Sequence, residues 1–167
     1  KKYNILLLHA ITASVNHEWE IAEILNKIAK SLNAREIISL EGVGSGEDSR
    51  EEKVFYFTNS DKKKKVFEKI KIPQLKEGII IGVTGAVLSR VESTTVTALF
   101  AETHTKLPDS KAAAKIIQVL DSYLGLDVDP KPLLVQAQKF EEKLRGIIQK
   151  SSEAQELSEK KKLSYVG

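Results

Sequence analysis

The chain has 167 residues, 41% of them hydrophobic and 29% charged, a balance that suits one globular domain with a core of its own. Cysteine is absent, which excludes disulfide scaffolds, thiolate metal centres, iron–sulfur clusters and thiol nucleophiles together. A net charge of +3 makes no demand for nucleic acid, and no apolar run approaches the roughly 18 residues that span a bilayer.

The first apolar run, Ile5-Leu6-Leu7-Leu8, is too short for a helix and predicts a strand buried on both faces. Ile21, Leu25, Ile28 and Leu32 then recur at helical spacing. They predict a helix over 17–32, with Asn16 as its N-cap and Glu18 and Glu20 at its positive end. Residues 36–41 (EIISLE) predict a second strand. It ends in the glycine cluster Gly42, Gly44 and Gly46, followed by a polar stretch to Glu52 that reads as a mobile loop. A third strand is expected over 53–58 (KVFYFT), and a short surface helix over 61–70, before Pro73. Residues 78–83 (GIIIGV) predict a fourth strand, 84–90 a helical turn, and 95–101 (TVTALFA) a fifth strand.

Pro108-Asp109 opens a helix with the stripe Ala113, Ile116, Ile117, Leu120 and Leu124, closed by Gly125. From Pro130 a long helix carries Leu133, Ala137, Phe140, Leu144 and Ile147 along one face, widened by Leu134 and Ile148. The stripe fades after Ile148, so residues 151–167 read as a polar extension of a domain spanning 1–150, either projecting helix or stalk. Alternation of apolar strands with helices predicts an α/β sandwich: a mostly parallel or mixed central sheet flanked by helices, plus the long C-terminal helix. Methionine is absent and residue 1 is a lysine. No secretory signal opens the chain, and the domain is expected to be incomplete at its N-terminus.

The motifs are weak as chemistry. The cluster at 42–46 follows a strand, but Gly46 leads into Glu47 and Asp48, which repel phosphate, and the P-loop lysine is missing. The Gly82-Val83-Thr84-Gly85 turn reads first as close packing of a short helix, and second as a ligand turn at a strand end. Glu102 and His104 fall two apart in a strand-like segment, which permits acid–base work. No nucleophile accompanies them, so a hydrogen-bonded histidine steadying the loop is the simpler reading. His9, His17 and His104 lack the spacing of a helical metal pair, and neither metal nor cofactor is expected. Lys62–Lys65 is the strongest charge run. With Phe67 on the apolar face, it reads as a solvated surface rather than a nucleic-acid site. At the C-terminus, Leu163, Tyr165, Val166 and Gly167 follow roughly a dozen polar residues. They form either a frayed end or an aromatic-tipped docking arm.

In their order, several segments resemble the proteasome assembly chaperone family in its archaeal branch. These are residues 3–32, EIISLEG at 36–42, GVTGAVLSR at 82–90, AETHTKLPDSKAAAKIIQVLDSYLGLDVDPKPLL at 101–134, and FEEKLRGIIQK at 140–150. The resemblance covers about residues 3–150 and implies strands upstream of Tyr3 that this chain lacks. It implies an α/β sandwich similar to purine nucleoside phosphorylases without their active site. It implies a cytoplasmic, non-enzymatic, ring-like homo-oligomer, a tetramer or pentamer. That assembly would bind the 20S proteasome or another protein, and neither nucleic acid nor membrane, as an assembly chaperone, activator or adaptor. The helix bearing Leu133, Phe140, Leu144 and Ile147 would then serve assembly, and the tail would dock. The tail departs from the hydrophobic–Tyr–any-residue ending of some activators, because Tyr165 stands third from the end and follows Ser164. The alternative is a small-molecule-binding or phosphorylase-like enzyme using Glu102, His104 and the Gly82–Gly85 turn. It requires a concave pocket at the strand ends.

Overall fold

The computed structural model describes residues 3–9, 16–44, 53–103 and 109–164, with side chains of Leu133, Glu141 and 151–164 outside that description. The elements are α1 (Glu18–Ser31), β1 (Glu36–Gly44), β2 (Val54–Thr58), α2 (Asp61–Lys69), α3 (Val83–Arg90), β3 (Thr95–Thr103), α4 (Ser110–Leu124) and α5 (Lys131–Ser164).

Three strands form one mixed sheet in the order β1-β3-β2. β1 runs parallel to β3, from Glu36 opposite Thr95 to Gly44 opposite Thr103. β2 runs antiparallel to β3, from Val54 opposite Ala101 to Thr58 opposite Thr97. Because strand side chains alternate, this register sorts them onto two faces. One face carries Ile37 and Val96, which pack with Ala22 and Leu25 of α1 and Ala86 and Val87 of α3. The other carries Ile38, Tyr56 and Leu99, which pack with Phe67 of α2 and Ala112, Ile116 and Val119 of α4. The result is the expected α/β sandwich.

The second face centres on an aromatic stack. Phe67, fully buried, lies between Tyr56 at 4.3 Å and Tyr123 at 4.5 Å between ring centroids. Beside it a polar cluster ties both helices to the sheet. Tyr123 donates to the Glu36 carboxylate (2.7 and 2.9 Å), Thr97 donates to the same group, and Lys63 Nζ lies 2.7 Å from it. Lys63 also sits over the Tyr123 ring at 4.8 Å. Burial, with the Glu36 hydrogen bond, pushes the Tyr123 hydroxyl up to about 12. Burial works against the Lys63 ammonium, but the hydrogen bonds to Glu36 and Tyr123 hold it above its usual range. Both groups bind their protons more tightly in the folded chain. Their stabilisation is therefore intact below the ordinary tyrosine value of 10.0 and is lost as pH rises through the folded values. Urea unfolding at about pH 8 and about pH 11 should show lower stability at the higher pH, with a smaller drop in Tyr123→Phe.

Several expectations need correction. Residues 5–8 form no strand, and Ile5, Leu6, Leu7 and Leu8 are all exposed. Residues 78–82 form no strand either. Val83 already belongs to α3, and Ile79 and Ile81 are 91% and 77% exposed. A parallel strand exists only where a neighbour accepts its backbone bonds. Among the described residues neither run has one: β3 is paired on both sides, the outer edge of β2 bonds to Pro73 and Leu75, and no described segment pairs with the outer edge of β1. β1 runs to Gly44, three residues past its expected end, because Gly42 and Gly44 still pair with Ala101 and Thr103. The N-cap position of α1 falls to His17, whose Nδ1 lies 3.0 Å from Glu20. Asn16 precedes it with φ +72°. The other helices match. Asp109 accepts from the Lys111 and Ala112 amides (3.1 and 3.0 Å) to cap α4, and Gly125 closes it at φ +63°. The expected loop at 47–52 lies outside the described residues. The extension after 150 continues α5 as far as Ser164.

Candidate functional site

The first face of the sheet is covered only in part. α1 and α3 pack over Ile37 and Val96, towards the N-terminal ends of the parallel strands. Further along, the register brings Glu41 beside Phe100, Val43 beside Glu102, and Phe55 beside Phe100, all pointing to the same side. Leu75, Ile79 and Ile80, from the segment between α2 and α3, stand over these residues and leave a cavity of about 360 Å3. It lies at the carboxyl ends of β1 and β3, where open α/β sheets place ligands.

The lining is apolar and aromatic except for two carboxylates, Glu41 and Glu102. Among the described residues, no lysine, arginine or histidine lines it. One oxygen of Glu41, Oε2, is buried and has no hydrogen-bond partner. A buried carboxylate oxygen without a donor is costly, by more than the roughly 1–3 kcal/mol of a neutral group.

Glu102 thus sits at a concave site, as the enzyme alternative requires, while His104 lies outside the described residues. The Gly82–Gly85 turn lies beside the cavity. Gly82 precedes α3 at φ +85°. A Cβ on Gly85 would stand 2.4 Å from the Ile80 carbonyl oxygen, so this glycine permits close packing of α3 on its preceding segment. Ser39 reaches α3 through its hydroxyl, 2.7 Å from Thr84 Oγ1. The lysine run divides: Lys63 pairs with Glu36 and Lys64 with Asp61 at 2.9 Å, while Lys62 and Lys65 are exposed. His9 is exposed, and no group of three or more metal-ligating residues occurs among the described residues. None of the described helices is long and apolar enough to cross a membrane.

The residues expected to serve assembly lie on α5. Phe140 and Ile147 are 58% and 64% exposed, and Leu144 is half-buried. Leu133 is on the same helix. Leu163 stands near its end, and Tyr165, Val166 and Gly167 lie outside the described residues. Glu41 escaped the sequence reading. Its only signal was a carboxylate towards the end of a largely apolar strand, and nothing local tells which strand faces it.

The sequence matches the PAC2 family over residues 1–148. The chain belongs to the PAC2 family. Its architecture is that of PAC2 proteins of known structure. It superposes on Pyrococcus furiosus PbaA, an archaeal homolog of proteasome-assembly chaperone, with TM-score 0.72 and 34% identity, covering 86% of this chain and 66% of that one. Pyrococcus furiosus PbaB, an archaeal proteasome activator, matches with TM-score 0.65 and 22% identity over 80% of this chain and 60% of that one, a likeness of fold. The uncharacterized protein MJ0106 of Methanocaldococcus jannaschii is 27% identical over 150 residues, which are 87% of this chain and 60% of that protein. The chain therefore spans less than two thirds of the length of these PAC2 relatives.

Proposed function

We propose that this PAC2 chain acts without catalysis, as a homo-oligomeric subunit that binds the 20S proteasome as an assembly chaperone, activator or adaptor. The observation that carries the reading is the 34% identity to PbaA across 86% of the chain, read with that protein's description as a homolog of proteasome-assembly chaperone. The geometry of α5 supports it. At 1.5 Å per residue its 34 residues extend about 51 Å. Phe140, Ile147 and Ile148 all stand exposed on it. An apolar stripe on an unshielded helix suits contact between copies. Leu163, Tyr165, Val166 and Gly167 would form the docking end, with Tyr165 entering a pocket of the partner.

Light scattering should give a mass of several subunits, shifted towards the monomer by Phe140→Asp with Ile147→Asp. A pull-down should retain 20S particles on the full chain and lose them on a chain ending at Glu159. Equal retention by both forms would remove the arm from the proposal, and a monomer without affinity for 20S would remove the proposal itself.

The phosphorylase-like alternative has the cavity at Glu102 in its favour. Among its described lining residues that cavity presents two carboxylates and no cation, so the phosphate such an enzyme must hold finds no positive partner among them. The non-catalytic reading is preferred on that ground.

A further inference from the structure

We propose that the outer edge of β1 is an interface between two copies of this chain, in which β1 pairs antiparallel with β1 of the partner subunit and joins the two sheets into one. β1 is nine residues long, its register with β3 is unbroken from Glu36 to Gly44, and no described segment pairs with its other side. Leu40 at its centre is 50% exposed, and Gly42 and Gly44 are exposed with it. A long edge without bulge, lysine, arginine or proline is a template for pairing with another strand. The direction of its outward groups follows from the contacts to β3. The Val43 carbonyl accepts from Thr103 Oγ1 at 3.2 Å, so it is turned towards β3. In a strand the N–H and C=O of one residue point to the same side, and those of the next residue to the other. The backbone groups of Ile38, Leu40 and Gly42 therefore point outward, away from β3.

The occupant is a second copy because the edge matches itself. A two-fold axis at Leu40 pairs the whole strand and sets outward residues against outward residues. Leu40 meets the partner's Leu40, and Ile38 meets the partner's Gly42. Side chains directly opposite share a face. The glycine leaves room for the isoleucine, and the two leucines remove each other's exposed apolar surface from water. Like charges do not oppose, which would be destabilising: Glu36 falls opposite the partner's Gly44, and Glu41 opposite the partner's Ser39. The axis stands normal to the sheet. It therefore keeps α1 and α3 of both copies on one face of the joined sheet, and α2 and α4 on the other, so the layers continue across the junction. This interface uses neither the α5 stripe nor the arm around Tyr165, and it holds whether or not those serve assembly and docking.

Hydrogen exchange and crosslinking of the full chain test it. In the unaltered chain the amides of Ile38, Leu40 and Gly42 should exchange at least about tenfold more slowly in concentrated than in dilute protein. Leu40→Cys places the only cysteine of the chain on the two-fold axis. Hydrogen-bonded antiparallel partners stand about 5.5 Å apart at Cα, within the roughly 4.4–6.8 Å that a disulfide spans, so mild oxidation should convert most of the chain into a covalent dimer. Lys62→Cys, exposed on α2, should give little. The Leu40→Cys crosslink should persist when Phe140→Asp and Ile147→Asp disrupt the α5 stripe, which separates this interface from that one. Leu40→Lys should weaken association through β1 at least about tenfold, because it sets two ammonium groups directly opposite each other. Edge amides protected equally at every concentration would mean that a segment of the same chain, such as Ile5–Leu8, covers the edge. Edge amides unprotected throughout, or a Leu40→Cys crosslink no stronger than that of Lys62→Cys, would leave β1 without a partner copy. Each of these results overturns the proposal, and exchange in the unaltered chain decides it even if a variant fails to fold.

Discussion

Replacing Phe67 with alanine is expected to cost about 3–5 kcal/mol of stability, the largest single effect in this domain. The ring is fully buried and stacks against Tyr56 on one side and Tyr123 on the other. Truncation removes the transfer free energy of a whole aromatic side chain and leaves a cavity between two rigid rings. It also removes the two aromatic pairings, worth roughly 0.5–1.5 kcal/mol each beyond area burial. The neighbours cannot collapse into the space. Tyr56 is held by the backbone of β2, and Tyr123 is tethered through its hydroxyl to Glu36. At roughly 2–4 °C per kcal/mol for a chain of this size, the melting temperature should fall by about 6–20 °C. A fall of only a few degrees would mean that the stack is not the keystone of this face. Phe67→Leu should recover a substantial part of the loss, because most of the buried area returns.

Lys63→Met should cost about 2 kcal/mol, and more than Glu36→Gln. The reason is an asymmetry of burial. The Glu36 side chain is 9% exposed and the Lys63 side chain 33%. Removing the cation strands a buried carboxylate that keeps only its hydroxyl donors. Removing the negative charge leaves an ammonium whose stem can turn towards water, while a glutamine oxygen still accepts from Tyr123. The expected cost lies between the near-zero value of an exposed pair and the roughly 3–5 kcal/mol of a fully buried one. Urea unfolding of both single variants and the double variant checks it through the coupling energy. A larger loss for Glu36→Gln than for Lys63→Met would reverse the assignment of which partner the fold holds in place.

The local elements were legible because their signals are local. The Ile21–Leu32 stripe gave α1 to within a residue at each end, and Asp109 and Gly125 marked the limits of α4. The runs at 5–8 and 78–83 were misread for a physical reason. An apolar run states that a segment needs cover, whereas a strand exists only when a neighbour pairs with it. Gly42 and Gly44 were misread in the opposite sense. They look like a turn, yet β3 supplies partners along their whole length.

The long-range features carry no comparable mark. Lys63 stood in a run of four lysines that read as solvated surface, and only the packing of α2 and α4 brings one of them to Glu36. Glu102 was singled out beside His104, but its neighbour across the sheet is Val43, with Glu41 close behind, and register cannot be read from either strand alone. Periodicity, caps and motif order in the amino-acid chain determined the α/β class, the helices and the family. Strand pairing and helix packing decided the rest: which apolar runs become strands, which lysine reaches Glu36, and that two carboxylates share an apolar cavity. Hydrogen-bonding partners and facing side chains are distant in sequence, so their energies act only once the chain has brought them together.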